Sequence, residues 1–180
     1  MSAASIGLPQ KMLAIHDGLS RAGVDHAFGG ALALAWCTQQ ARGTIDVDVN
    51  VFVGPDRTDD ALAALPDGIV ATDSDRALLV RDGQARLWWG STPVDVFLNT
   101  TAFHERVAGR VRWEPFVGAL LPFLACEDVA VFKAFFNRTK DWADLEAMQE
   151  AGTLDVAAVV GVLATLLGHD DSRIARLLTL

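Results

Sequence analysis

With 180 residues the chain fits one domain, with room at most for a small helical annex, and it is long enough to bury a core of its own. Hydrophobic residues make up 51% and charged residues 21%, which excludes extended disorder beyond the opening "MSAAS". A net charge of -8 opposes long-range attraction to nucleic acid or to anionic membranes, so a phosphate-rich partner would need a local basic patch.

In chain order, the first helix is predicted over Pro9 to Arg21, where Met12, Leu13, Ile15, His16 and Leu19 recur at roughly helical spacing and Gly23 supplies a stop. No basic region followed by an apolar run precedes it, so no signal peptide is expected. "VDHAF" reads as a short strand ending at Gly29 and Gly30, and "ALALAWCTQQ" after it as a helix. Ile45, Val47, Val49 and Val51 then alternate with Asp46, Asp48 and Asn50, the period-two signature of a strand with one apolar and one polar face.

"GPDRTDDALAALP" supplies a turn and a helix that stops before Pro66. "RALLVRDGQARLWWG" is expected to be a hairpin folded about Asp82 and Gly83. "STPVDVFLNT" alternates again and places Asp95 on a strand. "RVRWEPFVGALLPFLA" predicts short strands and turns, and from Cys126 onward the reading is helical, with further helices after Gly152 and Gly168. "LDVAAVVGVLATLLG" is too short to span a bilayer and reads as a buried helix. The fold class is therefore α/β (α+β): a mixed sheet with flanking helices over residues 1–122 and a helical part over 123–180 packed on it as one unit.

Residues two apart on a strand project to the same side about 6.5 to 7 Å apart, so Asp46 and Asp48 can lean toward one divalent cation. Taken alone, an Asp-x-Asp on a half-exposed strand is most often a solvated face. Hard oxygen donors without nearby histidine or cysteine favour Mg²⁺ or Mn²⁺ over zinc. If the strand of Asp95 lies beside that of Asp46, three carboxylates complete a site suited to phosphoryl or nucleotidyl transfer. Gly29 and Gly30, at a helix start, add a candidate phosphate cradle of backbone N–H groups.

"FGGALALAWCTQQARGTIDVDVNVF" resembles the signature of the polymerase-β-like nucleotidyltransferase superfamily: paired glycines at a strand-to-helix turn, Asp-x-Asp on the next strand and a third acid later, matched by Asp95. The form "RGTIDVDV", with Arg42 and Thr44 ahead of Asp46, is similar to antibiotic nucleotidyltransferases and to the nucleotidyltransferase toxins of abortive-infection and toxin-antitoxin systems. The resemblance extends to Lys133, Arg138, Lys140, Asp141 and Asp144 in "EDVAVFKAFFNRTKDWADLEAM" and covers about two-thirds of the chain. On one continuous helix Lys133, Lys140 and Asp144 would share a face within about 20°. An exposed, salt-bridged helix face would show the same spacing.

What the resemblance implies is transfer of a nucleoside monophosphate from an NTP such as ATP to an acceptor hydroxyl. Asp46, Asp48 and Asp95 would serve as metal ligands, with Asp95 alternatively the general base. Lys133 would sit on the β- or γ-phosphate and Asp144 would position Lys133 or the acceptor. Gly29, Gly30, Arg42, Thr44 and Lys140 would line the nucleotide. By the same resemblance the candidate acceptors are a tRNA 3' end, a protein or a small molecule such as an aminoglycoside, and a cognate antitoxin is a candidate partner. The rival readings are a noncatalytic nucleotide-binding or regulatory module that kept the fold, and a plain structural α/β protein.

Cys37 and Cys126, far apart and without zinc-site spacing, are expected to be reduced thiols of a cytoplasmic protein. His16, His26, His104 and His169 share no ligand spacing and are expected to be structural. Arg106, Arg110 and Arg112 form a short basic stretch, expected in a solvated strand or loop.

Overall fold

Among the described residues, six strands form one mixed sheet in the order β3-β4-β2-β1-β6-β5. The strands are β1 His26–Phe28, β2 Val47–Val51, β3 Gln84–Trp89, β4 Thr92–Leu98, β5 Arg112–Phe116 and β6 Ala119–Phe123. The computed structural model describes residues 6–180, so the expectation for "MSAAS" lies outside the described residues. The chain divides into two units: residues up to Gly29 with Thr44–Phe123, and Gly30–Gly43 with Leu124–Leu180.

The first unit holds the sheet. β2 runs antiparallel to β1 and parallel to β4, while β3 and β4 form an antiparallel hairpin turned at Gly90. Val47, Val49 and Val51 of β2 and Val94, Val96 and Leu98 of β4 are buried, so the β-branched face predicted from alternation is the core face. β2 begins one residue after Asp46, and Ile45 is exposed, so the alternation overstates the strand at its start.

Helix α1, Leu8–Arg21, buries Met12, Ile15 and Leu19 and packs against β6 and helix α3, Thr58–Ala64. α4, Asp73–Asp82, lies against β3, and α5, Ala102–Ala108, buries Phe103 and Val107. The expected hairpin about Asp82 and Gly83 is therefore a helix followed by a strand. A capping box between Thr72 and Asp75 starts α4, and Gly83, at φ 69°, ends it in the left-handed conformation that a side chain resists. Asp-Gly after a strand-like run fits a helix end as well as a turn.

The second unit is helical: α2 Gly30–Thr38, α6 Cys126–Phe136, α7 Thr139–Glu150, α8 Val156–Leu167 and α9 Ser172–Leu177. α2 packs on α6 and α7, and α8 on α6 and α9. Cys37 of α2 and Cys126 of α6 are joined in a disulfide with their Cα atoms 5.5 Å apart. This overturns the reduced-thiol expectation: 89 residues separate the two in sequence, and only the α2–α6 packing brings them together. α8 buries Val159, Leu163 and Ala164 but leaves Ala157, Ala158 and Gly161 exposed, so it is a half-buried helix rather than the buried one expected. No helix among the described residues is long and apolar enough to cross a membrane.

Candidate active site

In the sheet unit, Asp48 of β2 and Asp95 of β4 are direct register partners on adjacent parallel strands. Asp46 lies two residues before Asp48, where the Thr44 hydroxyl accepts a hydrogen bond from the Asp46 N–H at 3.1 Å. Thr44 thus shapes the run-in to the acidic strand. Gly29 is fixed to the same strand, its N–H donating to the Asp48 carbonyl at 2.9 Å. That bond commits the Gly29 amide, and Gly30, at φ 58°, opens α2.

A fourth residue belongs to this group. Arg86 of β3 faces Asp95 across the hairpin and donates to both carboxylate oxygens, Nε to Oδ1 at 2.8 Å and Nη2 to Oδ2 at 2.7 Å. The same Nη2 is 3.6 Å from Asp46 Oδ2. The Asp95 hydrogen bonds hold the Arg86 guanidinium protonated above its ordinary range, against partial burial, with the charges of Asp95, Asp46 and Asp48 adding to them. As the side chains stand, no group of three His, Cys, Asp or Glu among the described residues is gathered to hold a metal ion. The Arg86 guanidinium occupies both Asp95 oxygens.

The donor set nonetheless fits a hard divalent cation. Asp46, Asp48 and Asp95 offer oxygen alone, and one cationic nitrogen already sits within reach of two of them. Composition could not single out Arg86. The signal was the alternation of "QARLWW", which puts Arg86 on the polar face of a strand, but its register against Asp95 depends on the Gly90 turn.

The other predicted residues lie in the helical unit, where all but Lys140 join one network. The chain breaks at Asn137, in the left-handed conformation at φ 58°, so α6 and α7 are separate helices and the single helix over residues 133–144 does not form. Lys133 is buried, its Nζ donating to Asp144 Oδ2 at 2.6 Å and reaching Asp141 Oδ1 at 3.4 Å. Arg42 donates to both oxygens of Asp144 at 2.6 and 3.2 Å. Arg138 caps α7 through Asp141 at 2.7 and 3.1 Å. Burial raises the Asp141 pKa, but the Arg138 hydrogen bonds and the charges of Lys133 and Arg138 outweigh it and bring the carboxyl below its usual value. Lys140 is exposed on α7.

Elsewhere, His16 and His26 form a hydrogen-bonded pair at 2.9 Å, a contact their sequence spacing did not suggest. Trp89 packs against Gly68 and receives Lys11 on its ring, while Trp88 is exposed. Arg106 lies on α5, and Arg112 pairs with Glu114 at 2.8 Å.

Solved structures decide the fold. The solution structure of the antibiotic-resistance factor ANT(2'')-Ia matches with a TM-score of 0.61 at 13% identity over 95% of each chain. The fold is that of the nucleotidyltransferases. A crystal structure of ANT(2'')-Ia in complex with adenylyl-2''-tobramycin matches at 0.56 and 10% identity, covering 95% of this chain and 97% of that one. A nucleotidyltransferase-like protein from Paracoccidioides brasiliensis matches at 0.51 and 12%, covering 96% and 87%. No protein-family model matches the sequence, and no curated protein does. On the nucleotidyltransferase fold, the parallel strands β2 and β4 carry Asp48 and Asp95, Asp46 directly precedes β2, and the β3–β4 hairpin carries Arg86.

Proposed function

We propose that the protein is a metal-dependent nucleotidyltransferase that moves a nucleoside monophosphate from an NTP such as ATP to an acceptor hydroxyl, releasing pyrophosphate. One observation carries this reading: Asp48 and Asp95 in register on parallel strands, with Asp46 beside them and a cationic nitrogen already between Asp95 and Asp46. On adjacent strands about 4.8 Å apart, ionised carboxylates at ~5 Å repel by about 3 kcal/mol at an effective dielectric near 20. A purely structural face has no use for that repulsion.

Asp46, Asp48 and Asp95 would hold Mg²⁺ or Mn²⁺, which supplies Lewis-acid stabilisation of the reacting phosphate and a more acidic acceptor hydroxyl. Asp95 would accept a proton from that hydroxyl, or ligate the metal, only once Arg86 has left its oxygens. Within the helical unit Lys133 is committed to Asp144 and Asp141 and Arg42 to Asp144, while Lys140 is exposed.

Among acceptors, a small cationic molecule such as an aminoglycoside suits the chain better than a long RNA. Its net charge of -8 attracts the first and repels the second. The adenylylated tobramycin held by a structural neighbour supports the same choice.

A noncatalytic nucleotide-binding module is favoured by one feature, the Arg86 guanidinium seated on Asp95. The two readings part in a single assay: labelled NTPs, Mg²⁺, a panel of aminoglycosides and total tRNA, with Asp48→Ala as control. The enzyme reading expects metal-dependent label transfer that the variant loses. Nucleotide binding with no transfer to any acceptor would establish the module instead.

A further inference from the structure

Arg86 is an ion-pair partner placed where a metal's charge is needed. It contacts Asp95 through two hydrogen bonds and Asp46 at 3.6 Å, and it faces Asp95 because the hairpin register sets them opposite one another. Its side chain is half exposed, against 18% for Asp95, so the guanidinium can turn outward while the carboxylate stays in place. A divalent ion and Arg86 compete for the same Asp95 oxygens, and each relieves the same repulsion between carboxylates.

We propose that Arg86 is a built-in counter-ion that neutralises the carboxylate centre before metal arrives and must leave Asp95 for the metal to bind. The inference rests on the metal-centre reading above. It makes metal and nucleotide binding interdependent. The displaced guanidinium, fixed on the strand beside Asp95, needs a new anionic partner, and the triphosphate brings one. Metal alone meets the full cost of breaking a bidentate pair, whereas metal entering with nucleotide recovers it. By thermodynamic reciprocity the nucleotide then tightens metal binding by the same factor that metal tightens nucleotide binding.

The test is Mn²⁺ binding, followed by electron paramagnetic resonance, to the wild-type protein, Arg86→Gln and Arg86→Lys, each with and without a nonhydrolysable NTP analogue. Arg86→Gln is expected to bind Mn²⁺ alone at least about tenfold more tightly than wild type, a change of about 1.4 kcal/mol. Arg86→Lys, which keeps the charge but loses the fork, falls between them. The analogue sharpens Mn²⁺ binding strongly in wild type and only weakly in Arg86→Gln. Without metal, Arg86→Gln melts lower than wild type, and Mn²⁺ raises its melting temperature by more. Equal or weaker Mn²⁺ binding by both variants, with wild type still binding, overturns this inference and leaves the metal centre standing. Absence of Mn²⁺ binding by every protein, with or without the analogue, overturns the metal centre and this inference with it. Should Arg86→Gln not fold, Arg86→Lys alone decides, by binding Mn²⁺ more tightly than wild type or not.

Discussion

Asp48 and Asp95 face each other in register across the parallel β2–β4 ladder, although the first comes from an Asp-x-Asp run and the second from a separate hairpin strand. Their placement is a property of the sheet. Val47 and Val49 on β2 and Val94 and Val96 on β4 are buried on the core face, and that burial fixes the register, because a slip of one residue would turn every valine outward.

Asp48→Asn therefore tests chemistry with little disturbance of the fold. The substitution is nearly isosteric at a half-buried position, and unfolding free energy is expected to stay within about 1 kcal/mol of wild type. Nucleotidyl transfer is expected to fall by at least about a hundredfold, and the melting-temperature rise given by Mg²⁺ with NTP should vanish. Turnover in the presence of Mg²⁺ together with thermal melts checks both halves.

Asp144 carries the helical charge network, receiving Lys133 at 2.6 Å and both arms of Arg42. Asp144→Ala leaves the buried Lys133 ammonium with only the longer Asp141 contact, and a loss of about 3–5 kcal/mol is expected. Arg42→Ala removes a half-exposed partner and should cost about 1 kcal/mol or less. Urea unfolding of the two variants reads the difference directly. Equal losses would mean that Lys133 is sustained by Asp141 alone.

Much of the sheet was legible because alternation and burial say the same thing: the strands of Asp48 and Asp95, the short β1 and the Gly29–Gly30 turn all stand where the pattern puts them. What local pattern could not show was partnership. Asp82-Gly83 fits a hairpin turn and a helix end equally, and the Thr72–Asp75 capping box decides it for α4. Asn137 breaks a run of good helix formers by adopting a left-handed backbone, which separates Lys133 from Lys140. Arg86 and the cysteine pair were visible as residues, but their roles depend on register and on helix packing.

The Cys37–Cys126 bond closes a long loop, worth at most about 4.5 kcal/mol in the chain-entropy picture and typically about 2–4. Treatment with a dithiol reductant is expected to lower the melting temperature by roughly 5–15 °C. A Cys37→Ser, Cys126→Ser double variant should melt at the reduced value and ignore the reductant. An unchanged melting temperature on full reduction, verified by thiol titration, would show that the bond adds nothing to stability.

Acid should weaken the fold through the His16–His26 pair. Burial lowers both imidazoles below their ordinary value of 6.5, partly opposed at His26 by the Val24 carbonyl and at each ring by a neighbouring aspartate, Asp17 or Asp25. A histidine depressed in the folded state binds fewer protons there than when unfolded, so stability rises with pH through that window and is lost as pH falls below 6.5. His104, also lowered by burial, adds in the same direction. Melting temperature is expected to drop between pH 7.5 and 5.5, and His26→Gln should flatten the slope. An unchanged slope in that variant would place the acid sensitivity elsewhere.

The disulfide also makes half of the chain a covalent ring. Every residue from 38 to 125 lies inside it, including β2, β3 and β4 and so all three carboxylates and Arg86. A protease that cuts once within that stretch cannot release either piece: the nicked molecule migrates as a single species without reductant and separates into two fragments with it. The strands bearing the proposed chemistry are thereby insured against a single break in the backbone.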